Sequence, residues 1–190
     1  MAKVHNNIFV RGLTGAVGDQ FVIRKARSGR TIIANKPMFD DDREYTDAQK
    51  TQQQKFRKAT TYARTAQHQP LYQEKVVGTS LSAYNLAVAD YFIKPLILDI
   101  DISRWTGAAG QPIVIRAQDN VLVASVRLVI RENGETYDAI DGGEAERSEL
   151  DGLSWIFTTT VPITKTPGMQ LDAYAYDLPG NLTIDSLVLP

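Results

Sequence analysis

The spacing of apolar residues changes at one short stretch of the chain, Asp90–Ile102 (DYFIKPLILDIDI). Before this stretch, apolar residues recur every three or four positions, as they do on one face of a helix; after it they alternate, as they do in strands. Lys94-Pro95 marks the change, because a proline cannot continue a helix and the residue before it avoids helical backbone angles. The pattern predicts an N-terminal arm, hairpin and helical assembly region at residues 1–94 and an all-β domain at residues 95–190.

The start of the chain has the pattern of short strands and turns. A first strand is predicted at Asn7–Arg11, followed by a loop whose three glycines run from Gly12 to Gly18. These glycines match neither the G-x-G-x-x-G pattern nor the Gly-Lys-Ser/Thr ending of phosphate-binding loops. Two β-rich runs then flank Ser28-Gly29, which predicts a hairpin over residues 20–35 with a basic tip.

A long helix is predicted to begin after Thr46, which forms a capping box with Gln49. It extends to His68 and has one narrow apolar stripe, made of Phe56, Ala59, Ala63 and Ala66 with Tyr62 beside them. Because this stripe is thin for so long a helix, we expect the helix to contact a partner surface. Leu71–Val77 adds a helical turn, and a second helix is predicted at Leu81–Phe92 with Leu81, Tyr84, Val88, Tyr91 and Phe92 on its apolar face.

The second half has the alternation and turn signals of an all-β domain. Seven strands are predicted, at residues 96–102, 112–117, 121–131, 135–140, 153–160, 169–176 and 181–188. Asn133-Gly134 and Pro179-Gly180 are turn signals, and the acidic segment Glu144–Asp151 is predicted to be a solvated loop. The predicted core has Trp155 at its centre. Its other members are Val126, Leu128, Ile130, Phe157, Leu171, Ala173 and Ala175.

Motifs of the second half resemble those of bacterial immunoglobulin-like and fibronectin-like modules. They are the strand WIFTT at Trp155 and the turn A-Y-D-L-P-G-N that begins at Ala175. The resemblance implies a fold without implying a chemistry. The first half resembles small uncharacterised proteins of Bacteroidetes and their phages in its glycine loop, its Lys36-Pro37 and its helix from Thr46. The expected fold class is α+β: an N-terminal β-hairpin arm and two helices, followed by an all-β immunoglobulin-like sandwich of about seven strands.

The two halves of the chain carry opposite charge. Residues 1–95 have 15 Lys/Arg against 8 Asp/Glu, whereas residues 96–190 have 6 against 14. This asymmetry predicts either an acidic partner for the first half or head-to-tail contact between copies, with solvated faces as the alternative. The residues predicted to form an interface are Arg24, Lys25, Arg27, Arg30, Gln53, Phe56, Arg57 and Tyr62.

Candidate catalytic and metal-binding groups are few. The chain has no cysteine and two histidines, His5 and His68, neither of which is near a nucleophile elbow. The run Asp40-Asp41-Asp42 would direct its carboxylates alternately along an extended chain, which does not build a metal site. We therefore predict a protein that is not an enzyme and has no cofactor, metal site or catalytic residue.

The sequence leaves three functions open. The first is a structural or assembly protein of a phage virion or contractile injection particle, which docks through its N-terminal half on other subunits as a homo-oligomer or larger assembly. The second is a cell-surface or periplasmic binding and adhesion module. The third is nucleic-acid binding through the basic first half. Because the start MAKVHNN has no secretory signal pattern and no membrane segment is apparent, we expect synthesis in the cytoplasm and, for the first function, location in a virion or extracellular particle.

Overall fold

The protein is α+β, with three helices and two antiparallel sheets, in a computed structural model that describes residues 2–4, 12–26, 28–38, 44–132 and 139–190. The first four strands are β1 (Ala2–Val4), β2 (Gly15–Val17), β3 (Phe21–Lys25) and β4 (Thr31–Asn35). The helices are α1 (Asp47–Ala66), α2 (Pro70–Lys75) and α3 (Ala83–Phe92). The remaining strands are β5 (Leu96–Asp101), β6 (Pro112–Gln118), β7 (Val123–Arg131), β8 (Ala139–Arg147), β9 (Ser154–Thr158), β10 (Gln170–Asp177) and β11 (Leu182–Val188).

Contacts divide the chain into two compact units. The first unit comprises Met1–Arg57 and Val76–Ser82, and the second comprises Lys58–Lys75 and Ala83–Pro190. The end of α1, together with α2 and α3, is therefore grouped with the second sheet. This grouping falls elsewhere along the chain than the division predicted at residues 94 and 95.

The sheet of the first unit has the strand order β1-β4-β3-β2. The predicted hairpin is confirmed as β3 and β4, whose turn contains Gly29 with φ of 80°. The segment predicted as a glycine loop contains the strand β2, which pairs with β3 from Gly15 to Val17. The strand predicted at Asn7–Arg11 lies outside the described residues.

The three helices follow the predicted pattern only in part. The capping box is confirmed, since the Thr46 amide donates to Gln49 Oε1 at 3.1 Å and the Gln49 amide to Thr46 Oγ1 at 3.3 Å. In α1 the buried residues are Ala59, Ala63 and Ala66, three members of the predicted stripe, whereas Phe56, its fourth member, is 52% exposed. The buried side of α3 is Ala83, Ala87 and Asp90 instead of the larger apolar residues predicted, because small side chains four and three positions apart allow close packing.

The second sheet has the order β11-β10-β7-β8-β9-β6-β5 and is nearly closed and barrel-like. The end strands β5 and β11 approach each other where Thr183 Oγ1 donates to the Pro95 carbonyl at 2.5 Å. An immunoglobulin-like sandwich of two separate layers is not confirmed, because β8 pairs with β7 along Ala139–Ala145 and then with β9 through Glu146 and Arg147.

The strand β8 also corrects the interpretation of the acidic segment. Residues 144–147 continue the strand, and only the segment from Ser148 onward turns towards β9. The strand forms there because Ala145 is buried while Glu144 and Glu146 are exposed, which is the alternation of a sheet with one solvated face. The turn signal Asn133-Gly134 lies outside the described residues.

The core of the second unit contains every residue predicted for it. All eight predicted side chains are buried, with Trp155 6% exposed. The more deeply buried tryptophan is Trp105, which is 1% exposed and lies between β5 and β6. The ammonium of Lys165 lies 4.6 Å from the Trp105 ring centroid and also donates to the Trp105 carbonyl. The predicted centre at Trp155 is thus shared with a residue from a connecting segment.

Candidate functional site

The basic residues predicted on the β3–β4 hairpin lie on both of its faces. Arg24 is opposite Ile32 and Lys25 is opposite Thr31, and neighbouring residues of a strand direct their side chains to opposite sides. Arg30 lies in the connecting turn, where its carbonyl accepts from the Ala26 amide at 2.8 Å. Arg27 lies outside the described residues. The hairpin therefore does not gather its cations into one stripe.

Three other predicted interface residues lie together on the first half of α1. Every residue from Asp47 to Lys58 is exposed, including Phe56, whose side chain is 52% exposed. A groove of about 540 Å³ runs beside these turns. The residues that line this α1 groove are Tyr45, Gln49, Gln52, Gln53, Phe56 and Arg57. The structure thus brings Gln53, Phe56 and Arg57 to one concave surface with an aromatic wall.

Tyr62, the last predicted interface residue, belongs to a different environment. It lies in the second unit, is partly buried, and its ring centroid is 5.8 Å from that of Tyr91. Its hydroxyl is 2.7 Å from the hydroxyl of Tyr72. Tyr62 is therefore part of a hydrogen-bonded cluster and not of the α1 groove.

That cluster is centred on two fully buried side chains, Tyr72 of α2 and Asp90 of α3. The Tyr72 hydroxyl donates to Asp90 Oδ2 at 2.5 Å. The amide of Asn120, oriented with its nitrogen towards the carboxylates, donates to Asp90 Oδ1 at 3.0 Å and to Asp119 at 3.2 Å. Hydrogen bonds thus join all three helices to the segment that connects β6 and β7.

A second part of the cluster closes the end of α3. The side-chain amide of Asn181, in the turn between β10 and β11, donates to Asp177 Oδ2 at 2.7 Å. The same amide group lies 3.3 Å from the carbonyl oxygens of both Tyr91 and Ile93. Because the last carbonyls of a helix have no partner within it, a donor from the sheet stabilises this end and fixes α3 on the turn.

Burial dominates the electrostatics of the cluster. It raises the pKa of Asp90 to about 7, although the hydrogen bond from Tyr72 acts in the opposite direction and the charges of Asp119 and Asp177 add to the rise. Burial also raises the pKa of Tyr72 and of Asp177. A buried carboxyl group in this position exchanges a proton near neutral pH, when most aspartates are fully ionised.

The turn between β8 and β9 is an exposed acidic feature of the second unit. Leu150 at its tip is 96% exposed. The turn is held by Asp151, which accepts from the Leu153 and Ser154 amides at 3.0 and 2.8 Å, and by Arg147, which donates to the Gly152 carbonyl at 3.1 Å. We call residues Glu146–Leu153 the acidic tip. It presents the apolar side chains of Leu150 and, less exposed, Leu153 among carboxylates on a hydrogen-bonded backbone.

In the described part of the chain, no group of three or more His, Asp or Glu side chains could hold a metal ion. The buried cluster joins phenol, carboxyl and amide groups, whose hydrogen bonds link the three helices to the segment between β6 and β7. No helix among the described residues is both long and apolar enough to cross a bilayer.

The sequence pattern places Asp90 at the start of the stretch where the apolar spacing changes, and it does not identify Asp90 as a site residue. The available signal was that Asp90 is the only charged residue in the helix AYNLAVADYF, seven positions after Ala83 on the same face. A lone carboxylate on a buried helical face requires hydrogen-bond donors from elsewhere in the fold. Those donors, Tyr72 and Asn120, are distant in sequence, and no local pattern indicates them.

Comparison with known proteins gave no relative: no family model, no curated protein and no solved structure matches this chain.

Proposed function

We propose that this protein is a non-enzymatic assembly protein that binds neighbouring subunits through its N-terminal half and displays the seven-stranded module. The setting that we propose is a phage virion or a contractile injection particle, with the protein as a decoration, adaptor or head- or tail-associated component. This setting rests on the resemblance of the motifs described above. The assembly role rests on the packing of the first unit.

The observation that carries the proposal is the near absence of a core in the first unit. Of its described hydrophobic residues only Ile23 and Val76 are buried. Large hydrophobic side chains with 39% or more of their surface exposed are Leu13, Val17, Phe21, Met38, Tyr45, Phe56, Val77 and Leu81. A unit of this size that buries so little apolar surface is not expected to be stable alone, and contiguous exposed apolar surface is typical of protein-binding regions.

The module in the second unit suits display. Its strand adjacencies support an immunoglobulin-like arrangement, in which the first, second, fifth and fourth strands form one layer and the third, sixth and seventh the other. Here β5, β6, β9 and β8 are adjacent in that order, as are β7, β10 and β11, and β8 joins the two sets. Asn181 and Thr183 tie the module to the chain that precedes it.

The two alternative functions have less support. A nucleic-acid surface requires cations along one face, whereas Arg24 and Lys25 are on opposite faces of β3. A cell-surface adhesion module would use the same second unit and would give no role to the exposed apolar residues of the first.

Serine substitutions at exposed apolar residues of the two units test the proposal. Val17 in the first unit is 51% exposed and Val188 in the second is 55% exposed. We expect Val17→Ser combined with Phe21→Ser to reduce the mass of the assembly in sedimentation experiments, or its binding to particle subunits, whereas Val188→Ser leaves both unchanged. Limited proteolysis provides the second measurement. A monomer whose first unit resists protease without any partner would contradict the proposal.

A further inference from the structure

We infer that the α1 groove of one copy binds the acidic tip of a second copy, so that the chains associate head to tail. This inference rests on the proposed function, because it names the partner of the N-terminal half. Two independent properties of the two surfaces support it: shape and charge.

The acidic tip has the form of a preorganised anchor. Leu150 projects into solvent with 96% of its surface exposed, yet the turn beneath it is fixed by hydrogen bonds to both oxygens of Asp151. Ser148 adds a bond to the Leu150 amide at 3.3 Å. Because the backbone is already ordered, little conformational entropy would be lost when Leu150 enters a pocket. Central apolar anchors with a polar surround are typical of binding hot spots.

The α1 groove provides a matching receptor. Its apolar wall is formed by Tyr45 and Phe56, which are 39% and 52% exposed, and three glutamines line the rest. A volume of about 540 Å³ is enough for a leucine side chain and the backbone of its turn. The glutamine amides can donate to and accept from a turn whose backbone groups are exposed.

The charges of the two surfaces are complementary. Arg57 lines the groove, and Lys50 and Lys55 lie within two turns of it on the same helix, with the Lys50 ammonium 3.8 Å from the Asp47 carboxylate. The acidic tip carries Glu146, Glu149 and Asp151, all exposed, against the single cation Arg147. The first unit as a whole has 11 Lys/Arg against 6 Asp/Glu, and the second has 10 against 16. Opposite charge on two patches accelerates and orients their encounter.

The symmetry of the contact follows from where the two surfaces lie. The groove and the tip are different surfaces in different units of one chain, so each copy has one of each. Pairing of the groove of one copy with the tip of another forms a two-fold dimer when it is reciprocated, and a ring or an open array when it is not. The unreciprocated form is the association expected of a repeated subunit in a particle.

Charge reversal tests the inference with the full-length chain. The tip variant carries Glu146→Lys and Glu149→Lys, and the groove variant carries Lys55→Glu and Arg57→Glu. Sedimentation velocity over a range of concentrations at low salt measures self-association. We expect each variant alone to associate at least about tenfold more weakly than the unmodified chain. We expect an equimolar mixture of the two variants, or one chain with all four substitutions, to recover association.

Leu150→Ser provides a test that does not depend on charge. We expect it to weaken association about tenfold or more, whereas Val161→Ser, at a residue 37% exposed in the same unit, does not. Circular dichroism of each variant confirms that the fold is retained. Salt at about 0.5 M should weaken the association of the unmodified chain, because charge pairs at a rim are screened.

Failure of the inference is distinguishable from failure of the proposed function. If the chain associates but neither charge reversal nor Leu150→Ser weakens it, the head-to-tail contact is wrong and assembly proceeds through another surface. If the unmodified chain is a monomer at every concentration, the inference is again wrong. The proteolysis of the first unit described above then decides separately whether that unit requires a partner.

Discussion

The hydroxyl of Tyr72 donates to the carboxyl group of Asp90 at 2.5 Å, and neither residue has any surface exposed to solvent. This pair joins α2 to α3. Because one partner titrates, the attachment of the helices depends on a proton as well as on packing. The pair therefore provides the clearest measurable consequences of the structure.

The first prediction concerns the pH dependence of stability. The pKa of Asp90 rises from 3.8 to about 7 on folding, so its contribution to stability is fully present below about pH 4 and is lost as the pH rises to about 7. Asp90→Asn cannot titrate; its oxygen still accepts from the Tyr72 hydroxyl, and its amide nitrogen donates to the Asn120 side-chain oxygen once that amide turns over. Across this range we expect the free energy of unfolding of Asp90→Asn to increase relative to the unmodified protein by on the order of 3 to 4 kcal/mol.

Urea denaturation at about pH 4 and about pH 7 measures this change. The difference between the two proteins isolates Asp90 from carboxylates such as Asp99, whose pKa is lowered by its hydrogen bond from Arg116 and which has the opposite pH dependence. If the two proteins have parallel pH profiles, the pKa of Asp90 does not differ between the folded and unfolded states, and the prediction is wrong.

The second prediction compares two tyrosines of the same cluster. Tyr72→Phe removes the donor to a buried carboxyl group, so we expect it to reduce the free energy of unfolding by about 2 kcal/mol. Tyr62→Phe removes one bond from a partly buried side chain, and we expect a cost below about 1 kcal/mol. Thermal and urea unfolding at one pH give both values. Equal costs would contradict a series of hydrogen bonds in which Tyr72, between Tyr62 and Asp90, makes the more important contact.

The third prediction concerns the end of α3. Asn181→Ala removes the amide that contacts the carbonyls of Tyr91 and Ile93, and we expect a cost of about 1 to 2 kcal/mol. Asn181→Asp should cost more, because it places a carboxylate against two carbonyl oxygens and Asp177. Hydrogen exchange at the Ile93 amide, which bonds to the Ala89 carbonyl at 3.1 Å, reports the loosening directly. If Asn181→Asp is as stable as the unmodified protein, the Asn181 amide does not stabilise the end of α3 by donating to its carbonyls.

The fourth prediction uses two glycines with positive φ in the same connection. Gly107 has φ of +106°, and an added Cβ would lie 2.4 Å from the carbonyl oxygen of Ile163. Gly110 has φ of +77° and open space around it, so alanine there destabilises the protein only through backbone strain at positive φ and not through a steric clash. We expect Gly107→Ala to reduce the free energy of unfolding by at least about 3 kcal/mol and Gly110→Ala by about 1 kcal/mol.

The two glycine variants serve as controls for each other. Near-equal costs in thermal unfolding would mean that the segment at Ile163 moves to accommodate a methyl group. Such a movement would also weaken the hydrogen bond from the Ile163 amide to the Gly107 carbonyl, which measures 2.7 Å.

The sequence predicts well those parts of the fold that depend on local alternation. Strands β5, β6, β10 and β11 begin and end within a residue or two of their predicted bounds, and Val126, Leu128 and Ile130 are buried as their spacing indicates. Strand β8 overlaps the strand predicted at residues 135–140 only at its first two residues, and its remainder is missed because the apolar inward signal there is one small residue, Ala145, between glutamates. Glycines and acids favour a loop when only local preference is considered, and pairing on both sides overrides that preference.

The candidate site is less predictable, because it depends on contacts between distant segments. Helical spacing indicates the surface shared by Gln53, Phe56 and Arg57. Tyr62 lies on the same helix but contacts Tyr72 and Tyr91 instead, which helical spacing does not indicate. Trp105 has no strand period around it and is buried by residues such as Ile163, far along the chain. Their positions follow from the closing of the sheet, which no local pattern describes.

Strand β8 has a mechanical consequence for a displayed module. Because one continuous backbone pairs with β7 along most of its length and with β9 at its end, a pull on one set of strands reaches the other through covalent bonds. In a sandwich of two separate layers, that load would pass only through side chains in the core. We therefore expect the module to resist shear as one body and to give a single rupture event when stretched.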